Sequence, residues 1–556
     1  MRRGNLGKLL VGVIAGLVLS PPKLSAQAPL GLPALPDPPT PAGVNRLTSV
    51  ASGSPVVMAA GEAADPAAKD DPNAKLKSLI LDVLKEQETK KKEDEEKKKR
   101  EGHEIGSTLN MNAYWDNGLF FATPDRDWRI HVGGRFQYES VWWLQNPRLT
   151  GAPVGNGGIP ASARGGGVGP LDDGMFFRRV RFRSDGVGYE TFEYALEVDF
   201  EQLNLVTFDH LWFGTKDDTY GTLRIGQMKV PQGMDMIGSD YHLTFLERSV
   251  LSDAIWTLFA PGILYANDFF NKNVTFQTMF HKIQPLQFFT DQFGSGQYAE
   301  TSRLTWTPWF DKEGAQVVHL GASYQWRQAN LGRLIQPGGT GSTFGDTQNV
   351  VIFRARPELR DATGVGSINF LGDNSNRWVS TGFLIADHVQ TVSPEFLTIL
   401  GPFSVQAEAA FAYVDGAKTL FPGTSGPTGT PHGTPMFWGS YIEASYFLTG
   451  EHRGYDRRFG TFDRPSVGEN AFVVRGEDGR VHFGTGAWQL GYRYSYVDLN
   501  SNRINGGQLL EHSIVLNWYM NDNAKVQFQY SNITRNVTPA NSGTVNGFGM
   551  LAQWYF

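Results

Sequence analysis

From about residue 104 to its end, the chain consists of segments in which apolar and polar residues alternate strictly. In the stretch 192–201, FEYALEVDFE, Phe192 and Tyr194 fall on one side and Glu193 falls on the other. Successive side chains of a β-strand point to opposite faces, so a period of two predicts strands rather than amphipathic helices. Stretches rich in Gly, Asn, Asp and Pro separate the segments, as is typical of an all-β fold.

Two features of these segments favour a membrane barrel over the alternative, a secreted protein of several sandwiches. The polar face repeatedly carries full charges, and the apolar face carries aromatic residues near segment ends, like the girdles of a transmembrane barrel. Connections alternate between short ones, such as 520–524, and long ones, such as 328–349. No later segment offers the ~20 consecutive apolar residues of a spanning helix, so a chain inserted in a membrane would cross it with strands.

The stretch 176–183, FFRRVRFR, shows what kind of barrel this is. As a strand, it places Arg179, Arg181 and Arg183 on one face and the apolar residues between them on the other. A nucleic-acid-binding sheet could use such a face, but the net charge of -6 argues against a dedicated nucleic-acid binder. We therefore predict that the three arginines face water inside the barrel.

The first hundred residues have a different texture and divide into three parts. Residues 1–26 combine basic residues, the apolar run LLVGVIAGLVL and a small residue at a cleavage position, which predicts a secretory signal peptide, with a retained anchor as the alternative. Residues 27–73 are rich in Pro and Ala and predict a disordered linker. Residues 74–101 predict a charged helix, which is either a short coiled coil or simply solvated. The barrel is expected over 102–556.

Composition and motifs argue against an enzyme. The chain has no cysteine, which excludes thiolate metal sites, thiol nucleophiles and disulfides. Its 11 histidines show no metal-ligand spacing, and the sequence contains no Gly-rich phosphate loop. Asp209 and His210 are adjacent, so in a strand they are expected to point to opposite faces and not to form a dyad. We therefore expect no catalytic residue, no metal and no cofactor.

Several stretches, taken in order, resemble the phosphate-selective porin O and P family. They include HVGGRFQYE (131–139), FFRRVRFRSDG (176–186), LRIGQMKVPQG (223–233), FRARPE (353–358) and LNWYMNDNAKVQFQYSNI (516–533). The resemblance covers residues 104–556 and implies a transmembrane barrel of about 16 antiparallel strands, usually assembled as a trimer. It also implies a porin in the outer membrane of a Gram-negative-type envelope, through which small anionic solutes diffuse.

Phosphate-selecting members of that family use an arginine ladder along the channel and a lysine cluster near its mouth, and the resemblance makes Arg179, Arg181 and Arg183 the ladder candidates. Alternation adds further inward-facing candidates: Arg135, Arg303, Arg327, Arg354, Arg356 and Arg493. It also places acids on the inner wall: Glu193, Glu197, Asp199, Glu201, Glu408 and Glu443. No long loop contains a lysine cluster. A pore that prefers phosphate or similar oxyanions, a general non-selective porin and an anchor tethered through the N-terminal helix therefore stay open.

The stretch 229–253 breaks the alternation after a strand and is the candidate for a loop that folds into the lumen and sets its constriction, with an ordinary outer loop as the alternative. Its charged candidates are Asp235, Asp240, Glu247 and Arg248. Glu247 and Arg248 could equally form a plain salt bridge with each other.

The last segment, GFGMLAQWYF, alternates up to the aromatic Phe556. A final aromatic strand of this kind resembles the signal that the barrel assembly machinery reads, so that machinery is an expected partner. The other expected partners are small anionic solutes, outer-membrane lipid and further copies of the chain in a homotrimer. Nucleic acid is not expected to bind.

Overall fold

The computed structural model describes residues 110–116, 118–150, 168–202, 205–217, 220–283, 298–329, 350–360, 377–419, 429–475 and 479–556. The signal peptide, linker and charged helix that the sequence predicts lie outside these residues and stay predictions.

Within the described residues, sixteen antiparallel strands form one closed sheet. They are β1 Trp128–Leu144, β2 Gly174–Gly188, β3 Phe192–Gln202, β4 Leu205–Asp217, β5 Gly221–Lys229, β6 Phe259–Phe269, β7 Val274–Lys282, β8 Tyr298–Asp311, β9 Gln316–Gln328, β10 His388–Leu400, β11 Phe403–Asp415, β12 Met436–Phe447, β13 Ala487–Ser501, β14 Ile504–Asn521, β15 Ala524–Asn536 and β16 Gly543–Tyr555. The expected barrel of about 16 antiparallel strands is confirmed.

The sheet closes because the last strand pairs with the first. Phe548 of β16 lies opposite Trp142 of β1, and Trp554 lies opposite Phe136. The main chain of Phe556 continues the pairing, since its carbonyl accepts from the N–H of Gly134 at 2.9 Å. Closure removes the unpaired strand edges that a bilayer cannot solvate.

Shorter elements surround or fill the barrel. A hairpin of Asn112–Trp115 and Leu119–Ala122 precedes β1 and pairs with its start. The other short strands are Val350–Val351, Arg354–Ala355, Val379–Ser380, Leu384–Ile385, Ala417–Thr419, Pro431–Gly433, Gly454–Asp456, Thr461–Asp463, Phe472–Arg475 and Val481–Gly484. The helices are α1 Met234–Ile237, α2 Val250–Ile255 and the 3₁₀ turns Pro147–Leu149 and Lys312–Gly314. None of the helices in these ranges is long and apolar enough to cross a membrane.

The two faces of the wall differ as a period of two requires. The outer face exposes aromatic and aliphatic side chains, among them Trp142, Trp306 and Trp554. The inner face is polar and largely buried, as at Gln137 and Glu139 of β1. Inner residues are buried because connections between strands fold back into the barrel and cover them, so the core of the molecule lies inside the closed sheet.

The two ends of the barrel also differ. We call the end where β1 begins and β16 finishes the terminal end, and the opposite one the loop end. The short connections between strands at the terminal end are 189–191, 218–220, 270–273, 312–315, 401–402 and 522–523. Long connections at the loop end include 145–173, 230–258, 283–297, 329–387 and 416–435. The prediction that short and long connections alternate along the chain is wrong at three places. Connection 448–486 is long although it lies at the terminal end, and 203–204 and 502–503 are short although they lie at the loop end.

Candidate functional site

Three arginines of β2 lie on the inner face, one above the next. Arg179, Arg181 and Arg183 occupy alternate positions, and Phe182 between them is exposed on the outer wall. Alternate residues of a strand are ~6.6–6.8 Å apart. The structure thus places the three ladder candidates in one inner row that runs from the loop end toward the terminal end.

Carboxylates surround this row. Arg181 forms ion pairs at nitrogen–oxygen distances of 2.6 to 3.1 Å with four acids: Asp199, Asp209, Glu197 and Asp240. Arg183 pairs with Asp185 at 2.7 Å and with Glu197 at 3.0 Å. Because each guanidinium has opposite charges in contact, the row mixes bases and acids. The side chain of Arg183 is 28% exposed and that of Arg181 only 9%, so Arg183 is the more accessible of the two.

A β-bulge brings one more arginine into the interior. The pairing of β1 with β2 passes from Arg179 to Phe177 and skips Arg178, so both Arg178 and Arg179 are buried. Arg178 donates to Glu247, and it pairs with Glu201 at 3.3 Å. Strict alternation from Arg179 would place Arg178 on the lipid side. The bulge places it inside, because an extra residue in one strand reverses the faces beyond it. The doubled FF and RR in FFRRVRFR are the sequence signal that could have revealed the bulge.

A second bulge corrects the expectation for Asp209 and His210. The pairing of β3 with β4 passes from His210 to Phe208 and leaves Asp209 unpaired. Asp209 reaches Arg181 at 2.6 Å, and His210 lies opposite the inward-facing Glu197. The prediction that these neighbours point to opposite faces is therefore wrong, because alternation fails at a bulge.

The connection 230–258, which contains α1 and α2, crosses the barrel interior. Asp240 pairs with Arg135 of β1 at 2.7 Å, and Glu247 pairs with Arg179 at 3.2 Å. Burial opposes the ionisation of Asp240, but the guanidinium groups around it outweigh burial and hold its pKa well below its usual range. The structure places the candidate constriction segment in the lumen and not on the outer surface.

Main-chain contacts fasten the same connection at other points. Glu408 of β11 accepts the N–H of Met234 at 2.6 Å and that of Asp235 at 2.8 Å, where the first turn of α1 leaves N–H groups without helical partners. Four strands further around the wall, Gln529 of β15 accepts the N–H of Leu246 at 3.0 Å. With Asp240 bound to Arg135 of β1, the anchors reach from β11 to β1, so the segment crosses the lumen.

Asp235 and Arg248 stabilise the fold of this connection from within. Asp235 accepts from the hydroxyls of Ser249 at 3.0 Å and Ser252 at 2.6 Å. Arg248 donates to the carbonyls of Asp235 at 2.7 Å and Gly238 at 2.9 Å. Arg248 is therefore held by carbonyls, while Glu247 pairs with arginines of β2.

A second inner segment, 350–360, carries the lumen candidates Arg354 and Arg356. Arg354–Ala355 is a two-residue strand that pairs with Val379–Ser380 and not with a barrel strand. Both arginines line the interior of the barrel, but they lie on an extended segment of a loop and not on a wall strand. A run of four residues cannot distinguish these two cases. Arg356 contacts Asp253, in the first turn of α2, at 3.6 Å.

Glu358 of this segment joins it to the wall. It accepts from Arg493 of β13 at 2.5 Å and from the N–H of Val250 at 3.2 Å. Burial raises the pKa of Glu358 above its usual value, although Arg493 opposes that shift. The inward-facing candidate Arg493 also pairs with Glu443 at 3.5 Å and so joins three parts of the interior.

A third inner segment comes from the terminal end. Arg303 of β8 pairs with Glu395 of β10 at 2.5 Å and donates to the carbonyls of Phe459 at 2.8 Å and Gly460 at 2.6 Å. The connection 448–486 therefore reaches into the barrel opposite the loop-end segments. The remaining predicted acids also have basic partners inside the barrel, namely Glu193 with Arg224 at 2.8 Å and Glu443 with Arg453 at 3.0 Å.

Toward the loop end, the inner segments and the wall enclose a chamber of about 320 Å³. Eight arginines line it: Arg178, Arg179, Arg248, Arg327, Arg354, Arg356, Arg360 and Arg377. The acids among its lining residues are Glu247 and Asp253. The lining thus carries a clear excess of positive charge. We call this cavity the arginine chamber, and the β2 row begins at its floor with Arg179.

The chamber combines predicted and unpredicted residues. Arg179, Arg248, Arg327, Arg354 and Arg356 were candidates in the sequence. Arg178, Arg360 and Arg377 were not, and they enter the chamber from a bulge and from a long connection. Arg377 pairs with Asp253 at 2.5 Å, and Arg360 lies 3.7 Å from Glu247. No local pattern marks Arg360 or Arg377, because tertiary contacts between distant segments bring them to the chamber.

The chain is similar to one known family and to several known proteins. The family model described as phosphate-selective porin O and P matches residues 170–556. Porin O of Pseudomonas aeruginosa is 22% identical over 458 residues, which cover 78% of this chain and 90% of that protein. An uncharacterised protein of Caulobacter vibrioides is 26% identical over 458 residues, which cover 77% of this chain and 73% of that protein. The structure of the outer membrane channel DcaP of Acinetobacter baumannii aligns with a TM-score of 0.42 and 11% identity, covering 78% of this chain and 99% of that one.

Proposed function

The chain belongs to the phosphate-selective porin O and P family and is an outer-membrane porin, and we propose that its pore prefers small anions such as phosphate and similar oxyanions. Membership of a porin family indicates a channel rather than an enzyme. The observation that carries the proposal is the arginine chamber, where eight arginines face two carboxylates.

The chamber favours anions through its field and through its chemistry. Low-dielectric walls that carry one sign of charge raise the local concentration of the opposite ion. Arginine keeps its charge at every physiological pH, and its fork matches the oxygens of phosphate and carboxylate. Because the chamber lies toward the loop end, we propose that this end faces the outside and collects anions before they reach the narrower interior.

The β2 row leads from the floor of the chamber toward the terminal end. Arg179, Arg181 and Arg183 are spaced within a Debye length of ~8 Å at physiological salt, so an anion can leave one guanidinium while already feeling the next. The acids beside the row weaken each site, and conduction needs binding that is weak enough for release. We propose Arg183, the most exposed of the three, as the arginine of the row that contacts the solute.

A non-selective porin is the second candidate, and one observation favours it. Arg181 is surrounded by four carboxylates, so the interior at its level carries more acid than base. If this level sets the ion selectivity, the chamber would raise entry of anions without excluding cations.

The zero-current potential across a planar bilayer under a KCl gradient distinguishes an anion-preferring pore from a non-selective one. We expect wild-type protein to give the anion-selective sign, and Arg354→Gln combined with Arg356→Gln to move the potential toward cations. The matched control, Arg148→Gln with Arg503→Gln, removes the same charge from exposed loop-end positions and is expected to change it less. A wild-type potential near zero would leave the non-selective porin, and an anion-selective potential equal in wild type, the chamber variant and the control would show that the chamber does not set the preference.

Preference for phosphate is tested separately. Phosphate added to a chloride-conducting channel is expected to reduce the chloride current, and to do so less in the Arg354→Gln, Arg356→Gln variant. A chloride current that phosphate leaves unchanged would restrict the proposal to anions in general.

Assembly is proposed on the same basis. We propose a homotrimer, helped by residues 74–101, and recognition of the strand ending at Phe556 by the barrel assembly machinery. The mass of the detergent-solubilised complex, measured with and without residues 74–101, tests the homotrimer and the contribution of these residues to it. A monomeric mass for the intact protein would contradict it.

A further inference from the structure

A two-stranded hairpin forms its own small sheet at the terminal end of the barrel. Its strands are Phe472–Arg475 and Val481–Gly484, within the connection 448–486. Ala471, just before the hairpin, donates its N–H to the carbonyl of Met520 at 2.7 Å, which ties the hairpin to the terminal end of β14. The hairpin is therefore attached to the rim of the wall.

The hairpin adjoins an aromatic pair of the outer wall. Trp488 and Trp518 stack with ring centroids 5.4 Å apart, and Phe472 meets Trp518 edge to face at 5.6 Å. The carbonyl of Thr485, directly after the hairpin, accepts both indole N–H groups, at 3.2 Å from Trp488 and 2.8 Å from Trp518. Indoles arranged in this way typically mark the membrane–water interface of a barrel, with the ring toward lipid and the N–H toward polar groups.

One face of the hairpin is apolar and open. Val473 lies opposite Phe483, and Arg475 lies opposite Val481, so these four side chains share a face. Val473 is 70% exposed, Phe483 73% and Val481 55%. Large apolar residues that lie side by side and open to this degree mark a surface that is covered by a partner or by lipid.

We propose that this face docks into the interfacial layer of the phospholipid leaflet at the terminal end. The argument is continuity, because the ring of Phe472 contacts both Trp518 of the lipid-facing wall and Phe483 of the apolar face, with centroids 5.6 and 6.0 Å apart. The lipid-facing wall thus continues past the rim of the barrel onto the hairpin.

The charges at the hairpin tip fit a headgroup layer. Arg475 ends the first strand of the hairpin, and Arg480 directly precedes the second. Both residues are basic and so match the phosphate groups of a headgroup layer. Basic residues at this level meet phosphate groups, and apolar residues beneath them meet the upper acyl chains.

Docking would fix the outer part of a connection whose other part lies in the lumen. Residues 454–464 of the same connection contact the inner wall, as Gly460 does with Arg303 at 2.6 Å. A hairpin held by lipid limits how far this connection can move out of the pore. The proposal concerns the membrane and stands apart from the ion preference of the channel.

The absence of cysteine allows a direct test with single labelled sites. The full chain carrying Phe483→Cys is labelled with the fluorophore NBD and reconstituted in vesicles of phosphatidylethanolamine and phosphatidylglycerol. Leu490→Cys, on the lipid-facing wall, is the positive control, and Lys312→Cys, in an exposed terminal-end turn, is the aqueous control. Quenching is measured with nitroxide-labelled lipid and with iodide, on protein whose heat-modifiable mobility shows a folded barrel.

We expect nitroxide lipid to quench the probe at residue 483 as it does at 490, and iodide to quench it about threefold less than at 312. Iodide quenching equal to that at 312 would overturn the proposal. So would a probe shielded from both quenchers, or disulfide-linked pairs of the unlabelled Phe483→Cys chain, since either shows a protein partner. If Phe483→Cys does not fold, Val473→Cys tests the same face.

Discussion

Arg181 of β2 and Asp240 of the connection 230–258 form an ion pair of 3.1 Å inside the barrel, between the wall and the segment that crosses the lumen. Asp240 also pairs with Arg135 at 2.7 Å and Arg179 at 3.1 Å, so three wall arginines share one carboxylate. The same arginines therefore hold the crossing segment in place, and they include the row that we propose to line the path of the solute. On that proposal, stability and selectivity are coupled at this site.

Asp240→Asn is expected to loosen the crossing segment and to make the pore more anion-selective. Removing one partner of a buried charge network costs about 3 kcal/mol of the free energy of unfolding, because the arginines keep their charges without the acid. Denaturant unfolding and the zero-current potential measure the two effects. Asp311→Asn, at an exposed terminal-end position, is the control. A variant with wild-type stability would show that Asp240 does not anchor the segment.

Replacing Arg179, Arg181 and Arg183 together with Gln is expected to shift selectivity toward cations. The change leaves the acids around Arg181 without their main partner, so the interior gains net negative charge. Gln keeps much of the reach of arginine but not the charge, so fewer molecules are expected to reach the folded, heat-modifiable state. If the folded protein with all three arginines replaced keeps the wild-type zero-current potential, the arginines of the row have a structural role only.

Arg183→Gln alone separates solute contact from anchoring. Arg183 is more exposed than Arg181 and pairs with two acids rather than four, so we expect a folded barrel with a weaker block of chloride current by phosphate. Arg181→Gln is expected instead to lower folding yield. The comparison uses single-channel currents and the folded fraction on gels. Equal effects of the two variants on both measurements would contradict this division of roles.

The connection 448–486 is expected to become less stable as rising pH ionises the carboxyl group of Asp456. Burial, with a contribution from Asp463, raises the pKa of Asp456 to about 6. The folded protein thus favours the neutral carboxyl, so stabilisation is present below the unfolded pKa and is lost as pH rises through about 6. Trypsin cleavage after Arg457 and Arg458 is expected to be slower at pH 5.5 than at pH 7.5, relative to an unstructured peptide. Asp456→Asn should remove this difference.

Phe556→Asp is expected to impair barrel assembly without affecting export. The backbone of Phe556 pairs with Gly134 of β1 at the closing seam, and its ring contacts Trp554 with centroids 5.0 Å apart. A charge there would lie beside apolar wall residues that face lipid. Heat-modifiable mobility of the outer-membrane fraction measures assembly, with Lys312→Glu as a control at the same end. Wild-type levels of folded Phe556→Asp protein would contradict the expectation.

The arginine chamber shows where prediction from sequence stops. Arg179 was found because a spanning strand repeats every two residues over its whole length. Arg178 was missed because a single inserted residue moves it to the other face. Arg356 was found as a lumen residue, but its segment is too short to show that it belongs to a loop and not to a wall strand. Arg377 carries no local signal at all, since only the packing of a long connection brings it to Asp253.

By itself the alternating pattern determined the barrel and the inner position of Arg181 and Arg183, while the strand number of about 16 came from the family resemblance. Lipid on one side and water on the other impose one alternating pattern on every spanning strand, so the pattern can be read locally. Only the tertiary structure decided what fills the barrel: which connections fold inward, where bulges reverse a face, and which acids meet Arg181. These depend on contacts between residues far apart in the chain, whose ion pairs and packing leave no period in the sequence.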